Sequence, residues 1–223
     1  MKKKLLANAV VKYLSGVLLL GILLFLPAGT FYWLNGWILM GVLFLPMFFA
    51  GILMFCKAPD LLQSRLNARE TESDQKLVIR LSGLMFLVSF VLAGLNFRFR
   101  WISMPSWIVC LSVILFLLSY LMFGEVLREN AYLSRTIEVR QGQKVVDTGL
   151  YGVVRHPMYT ATIFLFLSMP LILDSLPSFA VMLFYIPIIV IRIRNEETVL
   201  EKELDGYSAY LKKIKYRILP FIW

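Results

Sequence analysis

Residues 37–56 read WILMGVLFLPMFFAGILMFC, with no charged side chain in the run. At 1.5 Å per residue such a stretch makes a helix of about 30 Å, the thickness of a bilayer's hydrocarbon core. Comparable apolar runs lie on either side, at about 11–28, 77–95, 107–127, 158–173 and 179–191. Over 223 residues the chain is 59% hydrophobic and 17% charged, with a mean hydropathy of +0.75. A water-soluble domain needs more polar surface than this, so the expected fold class is all-α, a polytopic bundle of transmembrane helices. The last two runs are short, and Asp174-Ser175-Leu176-Pro177 separates them, with Pro177 suited to a helix start. They read as a hairpin of tilted or partly embedded helices, or as a re-entrant pair. Met1-Lys2-Lys3-Lys4 before an apolar stretch imitates a signal peptide. However, Pro27-Ala28-Gly29 leads into Phe31-Tyr32-Trp33, an interfacial aromatic belt, so the first run is expected to be an uncleaved span.

The formal net charge is +9, which could suit nucleic acid. The placement of the charge argues instead for lipid headgroups and for a set orientation. With the N-terminus inside, all but Arg98 and Arg100 of the 23 Lys and Arg fall on the cytoplasmic side. That bias is what the positive-inside rule expects of a multi-pass protein whose N- and C-termini are both cytoplasmic. The single histidine, with Cys56 and Cys110 far apart in sequence, forms no metal-ligand pattern. Neither a metal nor a nucleic-acid partner is expected, and a structural disulfide is not expected either.

Three segments on the basic side are long enough to carry chemistry. The first, Lys57 to Lys76, is mixed in charge and ends in Glu70, Glu72 and Asp74; it reads as a solvated loop with a short surface helix. The second, Arg128 to Arg155, ends at Gly149-Leu150-Tyr151-Gly152-Val153-Val154-Arg155-His156-Pro157-Met158-Tyr159. Pro157 suits the first turn of a helix, whose free N–H groups would then face this loop and favour an anionic group. The third begins Arg192-Ile193-Arg194-Asn195-Glu196-Glu197, directly after the last apolar run. Residues three or four apart share a helix face, so Arg192 can neighbour Glu196, and Arg194 can neighbour Glu197 or Thr198. On physical grounds alone both clusters can equally be interfacial anchors and salt bridges that end a span.

From about Asn130 to Trp223 the chain resembles the integral membrane methyltransferases that include isoprenylcysteine carboxyl methyltransferase and the phospholipid methyltransferases. The features carrying this are Gly149-x-Tyr151, Arg155-His156-Pro157-x-Tyr159, and an Arg followed by Glu196-Glu197-x-x-Leu200. Gly206-Tyr207-x-x-Tyr210 and Tyr216-Arg217-x-x-Pro220 complete the set. The resemblance implies four helices over 1–127 and a membrane-embedded cofactor module over 128–223, integrated in one domain. It implies S-adenosyl-L-methionine as cofactor, contacted by Gln143, Lys144, Val145 and Val146 and by Tyr151, His156, Pro157, Met158, Tyr159 and Glu197. Arg192 or Arg194 would face the substrate, with Glu196 as a candidate base. The implied acceptor is a lipophilic small molecule or a lipidated substrate, methylated on a carboxylate; an amine acceptor, as in phospholipid N-methylation, is the alternative. A nicotinamide-dependent membrane reductase is the rival enzyme, and a membrane adaptor and a transporter are further readings.

The charge partition predicts that Ser103 and Ser208 lie on opposite sides of the membrane. In intact cells an impermeant thiol reagent should label a single cysteine at Ser103 and spare one at Ser208. The reverse pattern would invert the topology.

Overall fold

The computed structural model describes residues 2–67, 73–130, 132, 139 and 142–223. Arg69, Glu70, Glu72, Arg135 and Arg140, which the sequence assigns to the basic side, lie outside them. Each long apolar run folds as a helix, because only a helix pairs every backbone N–H and C=O within one segment. The elements are α1 (Lys2–Ala28), α2 (Leu34–Lys57), α3 (Pro59–Asn67), α4 (Ser73–Phe99) and α5 (Ser106–Glu129). A 3₁₀ turn at Gly149–Gly152 precedes α6 (Pro157–Ile172), α7 (Leu176–Met182), α8 (Tyr185–Glu203) and α9 (Tyr207–Lys213). Helix accounts for 78% of the described residues, and no strand occurs among them. The all-α expectation therefore holds.

Four helices, α1, α2, α4 and α5, are long and apolar enough to cross a membrane, as is the stretch from Leu176 to Glu203. This last stretch differs from the sequence expectation. The hairpin's first arm is short, 16 residues in α6, but its second arm does not stop at Ile191. Only Leu183 and Phe184 interrupt α7 and α8, and the helix-forming run from Arg192 to Glu203 extends the rod. The expected turn between the arms is present, with Ser175 Oγ accepting the Ser178 N–H at the start of α7. Leu18, Leu19, Leu26, Phe49, Leu53, Leu84 and Leu121 are exposed along the spans. A large exposed apolar area is what a lipid-facing surface requires.

Small side chains and polar clips hold the bundle together, since lipid removes the hydrophobic drive for helices to associate. A Cβ on Gly94 of α4 would stand 2.7 Å from the Leu24 carbonyl oxygen of α1. Ser89 of α4 and Ser178 of α7, both fully buried, meet through their hydroxyls at 2.6 Å. Beside Pro46 in α2, the Leu43 and Phe44 carbonyls accept the hydroxyls of Tyr120 and Tyr13. At one end of the bundle, Asn96 donates to the carbonyls of Ile102 and Asp174 at 2.9 Å each. The Asp174 carboxylate accepts the Met104 N–H. Trp33 belongs to this end, but not as a headgroup anchor. It is only 2% exposed and stacks on Phe97 at 5.0 Å, while Phe31 and Tyr32 remain exposed.

At the other end, Lys12 of α1 bonds the Leu66 carbonyl of α3, and the C-terminal segment pairs with the start of α6. Both ends of the chain are therefore at one end of the bundle. The Gly94 contact predicts that Gly94→Leu will force α1 and α4 apart. The detergent-solubilised variant should melt several degrees lower, as expected for overpacking by roughly 1–3 kcal/mol; an unchanged melting temperature would show that the contact is slack.

Candidate active site

The site is built where the loop after α5 meets α8, α9 and the C-terminal segment. Glu129, at the end of α5, accepts the Leu150 N–H at 3.0 Å and so anchors the 3₁₀ turn. Gly149 has φ +52°, and a Cβ there would stand 1.4 Å from a Glu129 carboxylate oxygen, so only glycine fits. The turn delivers Tyr151 inward. Its hydroxyl accepts from Asn130 Nδ2 at 3.0 Å, and its carbonyl accepts from Tyr210 Oη at 2.8 Å. Burial pushes the Tyr151 phenol up to about 12, so it stays neutral and able to donate.

Arg155 and His156 lead from the turn into α6. Their N–H groups donate to the carbonyls of Tyr216 and Arg217 at 2.9 and 2.8 Å. Pro157 then opens α6 as its first residue, the place the sequence assigned it. Thr160 Oγ1 adds a bond to the Ile218 carbonyl at 2.8 Å. The C-terminal segment is thus tied to the start of α6 by three bonds.

Helix α8 contributes two adjacent glutamates that do different work. Glu197 is 7% exposed. One of its oxygens is 3.2 Å from Arg155 Nη1 and 3.3 Å from His156 Nε2, and the other accepts from Arg217 Nε at 2.8 Å. Arg155 also donates to the carbonyls of Ile214 at 2.6 Å and Leu211 at 2.8 Å. Glu196 points the other way, accepting the hydroxyl of Tyr159, which itself accepts from Arg192 Nε at 2.9 Å. Arg192, Tyr159 and Glu196 therefore form one hydrogen-bonded chain at the N-terminal turn of α6. Arg194 lies on the exposed side of α8.

Between these elements lies a cleft. Of the residues expected around a cofactor, Gln143, Lys144, Val145, Val146, Tyr151, His156, Met158 and Tyr159 line it, together with Glu196. Pro157 does not line it; it is buried in the first turn of α6, where it sets the helix direction. Glu197 stands behind the wall and holds the cations there. Arg192 approaches through Tyr159, and Arg194 does not enter.

Sequence reading missed Asn130, Arg155, Leu200, Leu204, Tyr207 and Tyr210 as lining residues. It missed Arg217 as the third partner of Glu197 as well. A signal for several of them was available: Arg155, Arg217 and the Gly206-Tyr207-x-x-Tyr210 spacing were all noted, but as motif positions rather than site residues. Among the described residues no cluster of His, Cys, Asp and Glu could hold a metal ion.

With this geometry in view, the comparisons with known proteins become specific. Residues 106–205 match the phospholipid methyltransferase family. The match bears out the resemblance to the integral membrane methyltransferases. It spans α5 to the end of α8 and holds Tyr151, His156, Tyr159, Arg192, Glu196 and Glu197; α9 and Arg217 lie beyond it. The chain is also similar to the Delta(14)-sterol reductase TM7SF2 of Mus musculus, at 31% identity over 91 residues. That alignment takes in 40% of this chain and 22% of the reductase, so the chain spans about a fifth of that relative's length.

Because Glu197 compensates three donors at once, Glu197→Ala leaves the partly buried Arg155 and Arg217 without their shared counter-ion. It should cost about 3–5 kcal/mol of stability, readable as a large fall in melting temperature. Glu196→Ala, at a cleft wall, should lower it far less. Equal small effects in both variants would dismiss the anchoring role of Glu197.

Proposed function

We propose that the protein transfers a methyl group from S-adenosyl-L-methionine to a lipophilic acceptor, most simply a carboxylate, at the cytoplasmic membrane face. The observation that carries this reading is the cleft, lined by the loop, α6, α8 and α9, within a chain whose family match is to methyltransferases. The donor set suits the cofactor. Met158, Val145, Leu200 and Leu204 offer apolar surface for a purine and a thioether, with Tyr151, Tyr207 and Tyr210 as neutral phenols beside them. Glu196 supplies a carboxylate that favours a cationic ligand. When bound, S-adenosylmethionine supplies a methyl carbon whose bond to sulfur breaks as an acceptor lone pair bonds to it.

The protein's part is positioning and electrostatics. A carboxylate acceptor is ionised at neutral pH, its unperturbed pKa being about 3.5, so no base is required of the chain. Arg192, held by Tyr159, presents a planar guanidinium suited to a carboxylate or phosphate. Tyr159 in turn is fixed by Glu196, so the arginine and the cleft wall are oriented as one unit. An acceptor's apolar tail lying along α6 and α8 would gain about 0.8 kcal/mol per buried CH₂. An amine acceptor would need to lose a proton first, and His156 or Glu196, both lining the cleft, could take it.

The similarity to a sterol reductase supports a second reading, a nicotinamide-dependent reductase. The charge of the cleft favours the first. A phosphorylated dinucleotide brings several negative charges, whereas the described lining residues offer Lys144 and an Arg155 already bonded to Glu197 and two carbonyls.

Incubating the purified protein with radiolabelled S-adenosylmethionine and a membrane lipid extract should label an apolar product. Arg192→Lys should lose most turnover while retaining cofactor affinity, and Arg194→Lys should keep turnover. Label transfer to no lipid, with oxidation of NADPH instead, would replace the proposal with the reductase reading.

A further inference from the structure

Tyr207 opens α9 and lies outside the family-matched segment. Its side chain is 4% exposed and lines the cleft, yet its hydroxyl, shielded from solvent, has no hydrogen-bond partner. The neighbouring phenols are satisfied: Tyr210 donates to the Tyr151 carbonyl, and Tyr151 is held by Asn130. A buried hydroxyl without a partner destabilises a protein by about 1–3 kcal/mol, so an isolated one in a cleft wall calls for an explanation. Its position is imposed by the backbone. Gly206, at φ +84°, turns the chain from α8 into α9 and directs Tyr207 inward.

We propose that the Tyr207 hydroxyl is a ligand-binding group, left unpaired by the protein's own groups so that it can bond an uncharged hydroxyl or amino group of the cofactor's nucleoside. This rests on the proposed function above. The surroundings select that class of group. Tyr207 packs in an apolar cluster with Leu204, Tyr210 and Ile214, against Val145 and Leu200. A carboxylate would lose its hydration among these apolar side chains. An anionic group is further opposed by Glu196 and Glu197, whose fields, added to burial, push the phenol's ionisation well above its usual range. A sugar hydroxyl can give or take a hydrogen bond and a purine amine can donate to the phenol oxygen, and neither carries a charge to desolvate.

The test is Tyr207→Phe, which removes the hydroxyl and keeps the ring. In the ligand-free protein the variant should melt at the wild-type temperature or above it, because an unsatisfied polar group is gone. Calorimetry with S-adenosylhomocysteine should show binding weaker by about fivefold to tenfold, the loss of one buried hydrogen bond. 5′-Methylthioadenosine, which lacks the amino-acid part, should lose the same factor. A loss confined to S-adenosylhomocysteine would overturn the assignment to the nucleoside, and unchanged affinity for both would overturn the role of Tyr207. If wild-type protein binds neither compound but binds NADP⁺, the methyl-transfer reading fails by itself. The same variant titrated with NADP⁺ then decides Tyr207, unchanged affinity again refuting it. Binding of none of the three ligands would remove both.

Discussion

A single buried carboxylate organises the polar half of this molecule. Glu197, on α8, gathers Arg155 and His156 from the loop before α6 and Arg217 from the C-terminal segment. Two guanidinium groups and an imidazole cannot be packed so closely at a membrane boundary without an anion between them. The ligands of Glu197 come from two separate parts of the chain, so with α8 the ion cluster closes three segments around one point. The cleft is the space left on the other side of that closure.

The cluster explains why neighbouring residues in α8 act so differently. One turn of helix is 3.6 residues, so adjacent positions point about 100° apart. Glu197 faces the C-terminal segment, and Glu196 faces Tyr159 and the cleft. Arg192, one turn earlier than Glu196, shares its face and reaches the same tyrosine. Arg194, two residues on, is turned away to the exposed side. Helical geometry thus sorts four charged side chains into one anchor, two cleft-side groups and one surface charge.

The apolar half works by a different rule. Within lipid no water competes for backbone groups, so carbonyls exposed near Pro46 are met by tyrosine hydroxyls and helices touch where glycine or serine allows. Between α6 and α8 themselves, Tyr185 Oη donates to Thr162 Oγ1 at 3.0 Å, and the ends of these two helices then set where the loop and the C-terminal segment can meet. Rigidity in the bundle is what gives the cleft its shape.

The bundle was legible in the sequence, because lipid leaves a long apolar run little choice but helix and the period and length of each run need no partner to be read. The clustering was legible only in part: by residue type alone Tyr151, His156, Tyr159, Arg192, Glu196 and Glu197 could equally have anchored an interface or ended a span, and it was the resemblance that grouped them. The division of labour was not legible. Whether Glu196 or Glu197 lines the cleft, whether Arg192 or Arg194 turns towards it, and that Arg217 completes the anchor all depend on helix phase and on a contact across 20 residues of chain. Trp33 shows the same limit at the other end, where stacking on Phe97 withdraws it from the surface that its neighbours share. Composition and period are local properties and are written in order along the chain. Which face a side chain presents, and what it meets there, is decided only when distant segments compete for the same space.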